Sequence, residues 1–141
     1  MTIPMILAPL FVLVLMTFAL GFFLASLRTP ALTRGEIRPD DVSLRQPNWP
    51  KRALQAGYSF QNQFELPLLF YVLTILAMIT KHADLLFVVL AWVFVLSRLA
   101  HAYVHVTSNN LRFRGLFFGI GALVLAIMWL IFSVKIMLGL P

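Results

Sequence analysis

The chain has 141 residues, of which 61% are hydrophobic and 11% are charged, and its mean hydropathy is +0.92. A soluble domain of this length cannot bury so much apolar surface in its own core, so the composition excludes a soluble globular protein and indicates contact with lipid. The formal net charge is +6, but the basic residues lie between apolar runs, which favours anionic lipid headgroups over nucleic acid as partners.

The first apolar run covers residues 5–27 and is long enough to cross a hydrocarbon layer of roughly 30 Å with some tilt. A cleaved signal peptide is the alternative, which we disfavour because no Lys or Arg precedes the run and because its apolar core is too long. Residues 28–51 follow as the only long polar stretch. Four prolines and Gly35 interrupt this stretch, so we predict a surface loop.

Three further apolar runs predict spans over about residues 56–80, 84–106 and 115–138. Only a few residues join the second run to the third and the third to the fourth, so neighbouring helices should be antiparallel. The sequence therefore predicts an all-α integral membrane protein, in which a four-helix transmembrane bundle forms a single domain over residues 1–141.

The distribution of Lys and Arg predicts the orientation, because the loops after the first and third spans must share a face of the membrane. That face carries most of the positive charge, at Arg28, Arg34, Arg38, Arg45, Lys51, Arg52, Arg112 and Arg114. The opposite face carries only Lys81 and Lys135. We therefore predict that the long loop is cytoplasmic and that both termini lie outside. A bacterial inner membrane suits the small size of the chain.

Polar residues within the spans are the candidates for function. Glu65 lies in the second apolar run, where an ionised carboxylate is costly unless it is paired or hydrated. Asn62 precedes it by three positions and shares its helical face. On the third span, Arg98, His101 and His105 are spaced to lie along one face. Because arginine stays charged, we predict an ion pair between Arg98 and Glu65 across the helix interface.

Two other roles are open to these side chains. His101, His105 and Glu65 are suitable zinc ligands, although the charge of Arg98 one turn away opposes a divalent cation, and we predict no metal site. Alternatively, the polar residues form a structural latch that fixes the helix register. A latch needs few positive charges, whereas a pocket for an anionic ligand would use several. The arginines expected to flank the pocket are Arg28, Arg52, Arg112 and Arg114.

At these residues the chain resembles the MAPEG family, the membrane-associated proteins of eicosanoid and glutathione metabolism. Asn62 and Glu65, followed closely by a proline, are similar to the family's second-span motif. Arg98 and His101, followed by a basic loop that ends in Arg114, are similar to its third-span arginine and histidine and to the arginine that opens its fourth span. The size, the four spans and the long first loop also agree.

The resemblance implies a homotrimer whose active sites lie between subunits near the cytoplasmic face, each holding glutathione in a bent shape. The positions that would contact glutathione are Asn62, Glu65, His101 and Arg114, with Arg28 as a further contributor. Arg114 is the candidate catalytic residue, because it would stabilise the thiolate. Arg98 would be the pairing residue within the core. The chain contains no cysteine, so any thiol must come from a ligand.

The chain also departs from the family pattern. Family enzymes usually carry arginines and a histidine in the turns before the asparagine, where this chain has Gln55, Tyr58, Phe60 and Gln61. His105 stands where a tyrosine is common. Four residues after Arg114, where related enzymes place a tyrosine or an arginine that activates the thiol, this chain has Phe118, which neither donates a hydrogen bond nor carries charge.

Three functional hypotheses follow. The first is a trimeric membrane protein that binds glutathione or a similar anionic ligand and has transferase or peroxidase activity on lipophilic substrates that arrive through the bilayer. The second is a non-catalytic scaffold or lipid-binding protein that keeps the fold and has lost the cofactor, which the residues before Asn62 and Phe118 favour. The third is a transporter, for which four unbroken spans would give no obvious alternating pathway.

Overall fold

A computed structural model describes residues 1–141, and its regular elements are all helices. Four helical segments are long and apolar enough to cross a membrane, and the second of them consists of two helices, α2 and α3. The predicted all-helical bundle with four spans is therefore confirmed. In chain order the helices are α1 (Ile3–Thr33), α2 (Lys51–Asn62), α3 (Leu66–Ile79), α4 (Leu85–Val106) and α5 (Leu111–Met137), with a short 3-10 helix at Pro39–Asp41 in the long loop.

The apolar run alone predicted that the first helix ends at residue 27. In the structure this helix continues to Thr33. Pro30 does not end it, because its fixed φ is compatible with a helix and only one hydrogen bond is lost. The end is set by Gly35, which adopts a φ of +75°. The Gly35 amide donates to the Leu32 carbonyl at 3.3 Å, and the Glu36 amide donates to the Ala31 carbonyl at 3.0 Å. These two bonds form a Schellman motif, which satisfies the last carbonyls of α1.

The second span is broken, whereas the sequence predicted a continuous helix over residues 56–80. Pro67 lacks the amide that would donate to the Gln63 carbonyl, so the regular hydrogen-bond ladder cannot pass this point. The amides of Gln63, Phe64 and Glu65 instead donate to carbonyls three residues earlier. This shift frees the Ser59 carbonyl, which accepts a bond of 3.0 Å from the buried Gln63 side chain. The Gln63 side chain thus replaces the backbone hydrogen bond that the Ser59 carbonyl loses at the break.

Helix α4 lies at the centre of the bundle and packs against α1, α2 and α5. The Phe70 and Phe94 rings stack with their centroids 5.0 Å apart, and both side chains are fully buried. α4 and α5 approach closely at Gly121, where an added Cβ would lie 2.8 Å from the Ser97 hydroxyl oxygen. Large apolar side chains on the outer faces of α1 and α5 are exposed in the single chain, which suits contact with lipid or with neighbouring subunits.

Polar contacts close the end of the bundle opposite the long loop. The Asp84 carboxylate caps α4 by accepting from the Phe87 amide at 2.9 Å, and it forms an ion pair of 2.9 Å with the Lys135 ammonium. Partial burial acts to raise the Asp84 pKa, but the bonds from Lys135 and Phe87 outweigh it and hold that pKa below its usual value. Beside this pair, the His82 Nε2 lies 2.9 Å from the Leu140 carbonyl oxygen.

Candidate functional site

Arg98 and Asn62 form the polar centre of the bundle. The Arg98 side chain is completely buried on α4, and its Nη2 donates to the Asn62 Oδ1 at 2.6 Å. The same nitrogen lies 3.5 Å from the backbone carbonyl oxygen of Asn62. The Nε and Nη1 atoms of Arg98 have no partner. Asn62, the last residue of α2, is therefore the only side chain that accepts a hydrogen bond from this buried guanidinium.

The predicted ion pair between Arg98 and Glu65 is not formed. The only ion pair in the structure joins Lys135 and Asp84, and Glu65 is exposed at the start of α3. The prediction assumed a regular helix, in which residues three apart share a face. Because tighter turns replace the regular ladder between Asn62 and Glu65, Asn62 contacts α4 while the Glu65 carboxylate stays on the surface.

His101 and His105 continue the polar face of α4 toward the long loop. Their ring centroids are 5.7 Å apart, and the Phe118 ring lies 6.0 Å from that of His101. Both histidines are buried, with exposed fractions of 3% and 6%, and both Nδ1 atoms lack a partner. In the single chain, the His101 side chain therefore packs inside the bundle and is not exposed. Neither His101 nor His105 joins Glu65 in a group of metal ligands.

Arg114 opens the fourth span beside these histidines. The Asn110 side chain caps α5, because its Oδ1 accepts from the Arg112 amide at 3.0 Å. One turn later, the half-buried Arg114 donates from Nη1 to the Asn109 Oδ1 at 2.6 Å. Only residues 107–110 separate α4 from α5, so Arg114 lies at the same end of the bundle as His101 and His105.

Arg28 lies elsewhere. Its guanidinium carbon is 4.8 Å from the centroid of the Trp49 ring, in a groove between the end of α1, the long loop and α2. None of Asn62, Arg98 and Arg114 lines that groove. Within one chain, Arg28 thus lies in a different groove from those residues, and its contact with glutathione stays a prediction.

The order of these residues along the chain corresponds to one known family. The model of the MAPEG family matches residues 6–133, which include the second and third spans entirely and most of the first and fourth. The chain belongs to the MAPEG family. No curated protein and no solved structure shows significant similarity to it.

The polar residues of this MAPEG chain form two groups, one buried and one accessible. Arg98 and His101 are buried, so they can orient other groups but do not face solvent in the single chain. Asn62 and Arg114 are half-buried, and Glu65 is exposed. An amide, a guanidinium and a carboxylate together can bind a small zwitterion through its carboxylate and ammonium groups.

Two residues that shape these sites were not predicted as functional. Asn109 orients Arg114, and it adopts a φ of +52°, a conformation that asparagine tolerates well. The Asn109-Asn110 pair directly before the fourth apolar run was a usable signal, because such residues favour turns and helix caps. Trp49 packs against Arg28, and its place at the end of the basic loop, where tryptophan favours the membrane interface, was the corresponding signal.

Proposed function

We propose that the chain is a subunit of a homotrimer that binds glutathione, or a similar anionic ligand, beside Asn62, Glu65 and Arg114. Glu65 is the observation that carries the proposal. Its exposed carboxylate has no ion-pair partner in its own chain, and it lies next to an asparagine that the buried Arg98 holds in place. An ammonium group is the natural partner for such a carboxylate.

The accessible residues fit a peptide that carries both signs of charge. Glu65 would hold the ligand's ammonium group, Asn62 would bind an amide or a carboxylate, and Arg114 would bind a carboxylate or the thiolate. Asn109 occupies Nη1 of Arg114, but the other guanidinium donors are not used within the chain. His101 is buried in the single chain, with the Phe118 ring 6.0 Å away, so it would support the site from behind.

Bound glutathione would supply a thiol for conjugation to, or peroxide reduction of, a lipophilic substrate that reaches the site through the bilayer. The chain's own residues would bind the tripeptide, orient it and lower the free energy of the thiolate through Arg114. Phe118 offers the thiol no second donor. We therefore expect binding to be easier to detect than turnover.

A thermal-shift measurement on the detergent-purified protein tests this proposal. We expect millimolar glutathione to raise the melting temperature, because a ligand that binds only the folded state stabilises it. Glu65→Gln should abolish the shift, whereas Glu36→Gln, which removes an exposed carboxylate of the long loop, should leave it intact. A tripeptide analogue with a methyl group in place of the thiol reports the binding of the peptide part alone. Absence of any shift with intact trimers would refute the glutathione proposal.

A scaffold or lipid-binding role is the second candidate, and one observation favours it. The position four residues after Arg114 is held by Phe118, which packs near His101 and offers no hydrogen bond to a thiol. This alternative predicts no glutathione-dependent turnover on any lipophilic electrophile or peroxide. Turnover that Arg114→Ala abolishes would contradict it.

The proposed location is a bacterial inner membrane, with the long loop cytoplasmic and both termini outside. The support is the asymmetry of positive charge, since eight Lys and Arg lie on the loop face and two on the other, with Arg98 inside the bundle. The trimer is supported by family membership and by the apolar surface that α1 and α5 leave exposed. Native mass spectrometry of the purified protein would test the number of subunits.

A further inference from the structure

Two further grooves border one side of α1. The first, of about 330 Å³, lies between α1 and α4. The second, of about 290 Å³, lies between the end of α1, the residues that follow it and the start of α2. The α1 residues that line the two grooves are spaced three or four positions apart, so they lie along one face of the helix and the grooves form a single furrow. They include Met16, Leu20, Phe23, Leu27, Pro30 and Arg34.

The two halves of this furrow differ in polarity. Every residue that lines the half between α1 and α4 is hydrophobic, and two of them, Ala19 and Ala102, have small side chains. The half between α1 and α2 is lined by the charged residues Arg34, Glu36 and Arg52 as well as by apolar ones. The apolar run of α1 ends at residue 27, so the polarity changes where the hydrocarbon core gives way to the headgroups.

Arg52 lies at the junction of the two halves. Its guanidinium carbon is 5.6 Å from the centroid of the Phe23 ring, and Phe23 lines the apolar half whereas Arg52 lines the polar half. A contact with an aromatic ring leaves the N–H donors of a guanidinium available to an anion. Neither Arg52 nor the two other charged residues of the polar half forms an ion pair within the chain.

The charges of the polar half fit a ligand group that carries both signs. Two guanidinium groups match a phosphate, because each offers planar, paired donors. The Glu36 carboxylate lines the same groove, where it would repel a second anionic group and attract an ammonium. The adjoining apolar half fits an acyl chain. A phospholipid whose headgroup carries a phosphate and a primary ammonium combines these features.

We propose that the furrow binds phosphatidylethanolamine from the membrane leaflet on the loop side. Its phosphate lies at Arg34 and Arg52, its ammonium at Glu36, and one acyl chain between α1 and α4. Phosphatidylglycerol offers Glu36 no cation, so the furrow discriminates between the two lipids. None of the residues for which the resemblance implied a contact with glutathione lines the furrow. The proposal therefore goes beyond glutathione binding and does not depend on it.

Native mass spectrometry of the detergent-purified protein, titrated with phosphatidylethanolamine or with phosphatidylglycerol, tests the proposal. We expect phosphatidylethanolamine to bind more tightly. Arg52→Gln should weaken its binding about fivefold, whereas Arg112→Gln, which removes an exposed charge at the start of α5 outside the furrow, should change it less than about twofold. Glu36→Gln should reduce the preference for phosphatidylethanolamine about threefold, because phosphatidylglycerol loses no contact. Equal affinities of the original protein for the two lipids, or equal losses in Arg52→Gln and Arg112→Gln, would overturn the proposal.

Two alanines of α1 test the apolar half without a change in charge. Ala19 is exposed and lines the furrow, so Ala19→Phe should fill it and weaken the binding of both lipids. Ala25 is exposed on the same helix but does not line the furrow, so Ala25→Phe is the matched control and should bind both lipids as the original protein does. Equal lipid binding by the two variants would overturn the proposal. The same spectra count subunits, and dissociation of the oligomer in Ala19→Phe alone would also overturn it, because a second copy of the chain would then occupy the furrow.

Discussion

Replacing Asn62 by alanine tests the polar centre of the bundle most directly. The variant removes the only side chain that accepts a hydrogen bond from Arg98, whose guanidinium is completely buried and already has two nitrogens without partners. Hydrogen bonds to charged groups contribute about 1.5–3 kcal/mol, whereas polar pairs between membrane helices reach about 1.7 kcal/mol. At 2.6 Å and with no alternative acceptor side chain, we expect Asn62→Ala to lower the free energy of unfolding by about 2 kcal/mol.

The assay is unfolding of the purified protein in mixed micelles, followed by helical circular dichroism, with Arg98→Met and the double variant completing a double-mutant cycle. Without Arg98, the half-buried Asn62 amide has no guanidinium from which to accept a hydrogen bond, so Asn62→Ala should then cost less than about 0.5 kcal/mol. Gln61→Ala is the control on the same helix, because that exposed side chain makes no hydrogen bond within the chain. A coupling energy near zero between Asn62 and Arg98 would refute the reasoning.

Three other predictions concern packing, pH and topology. Gly121→Ala should destabilise by about 1–3 kcal/mol, because the added methyl would lie 2.8 Å from the Ser97 oxygen, and Gly119→Ala, with no atom within 4 Å, is its matched control; equal melting temperatures would contradict this. Asp84 has a lowered pKa, so its pairing with Lys135 stabilises the fold above about pH 4, and this stabilisation is lost as the pH falls further. Asp84→Asn keeps the helix cap but removes the charge, so acidification should lower its melting temperature less than that of the original protein. A reporter fused to the C-terminus should be active outside the cytoplasm, and cytoplasmic activity would overturn the predicted orientation.

Hydropathy and spacing predicted the fold well, because each span is a long apolar run and the short connections leave few ways to arrange neighbouring helices. The ends of helices were predicted less well. α1 continues past Pro30 because a single proline near a helix end costs one hydrogen bond, while Gly35 supplies the conformation that ends it. The apolar run predicted a membrane span but not the end of its helix, since α1 continues past residue 27 to Thr33.

The polar contacts within the bundle were predicted only in part, because Arg98 bonds to Asn62 and not to Glu65. Spacing alone placed Asn62 near Arg98 and His101, since helical periodicity determines which residues share a face. It also predicted an ion pair between Glu65 and Arg98, which was wrong, because Pro67 disrupts the ladder that periodicity assumes. The groove at Arg28 was not predicted for a related reason. Loop residues such as Trp49 have no period, so their contacts follow only from the three-dimensional path of the chain.

The break in the second span also sharpens the glutathione experiment. If Glu65 paired with Arg98 as predicted, Glu65→Gln would leave Arg98 as a buried charge without a partner. A lost thermal shift could then reflect a destabilised fold and not lost binding. In the structure, Glu65 makes no side-chain hydrogen bond or ion pair within its chain, and Asn62 carries the contact to Arg98. Neutralising Glu65 should therefore change the stability of the ligand-free protein by less than about 0.5 kcal/mol. A lost shift with an unchanged melting temperature would then be assigned to the ligand's ammonium group.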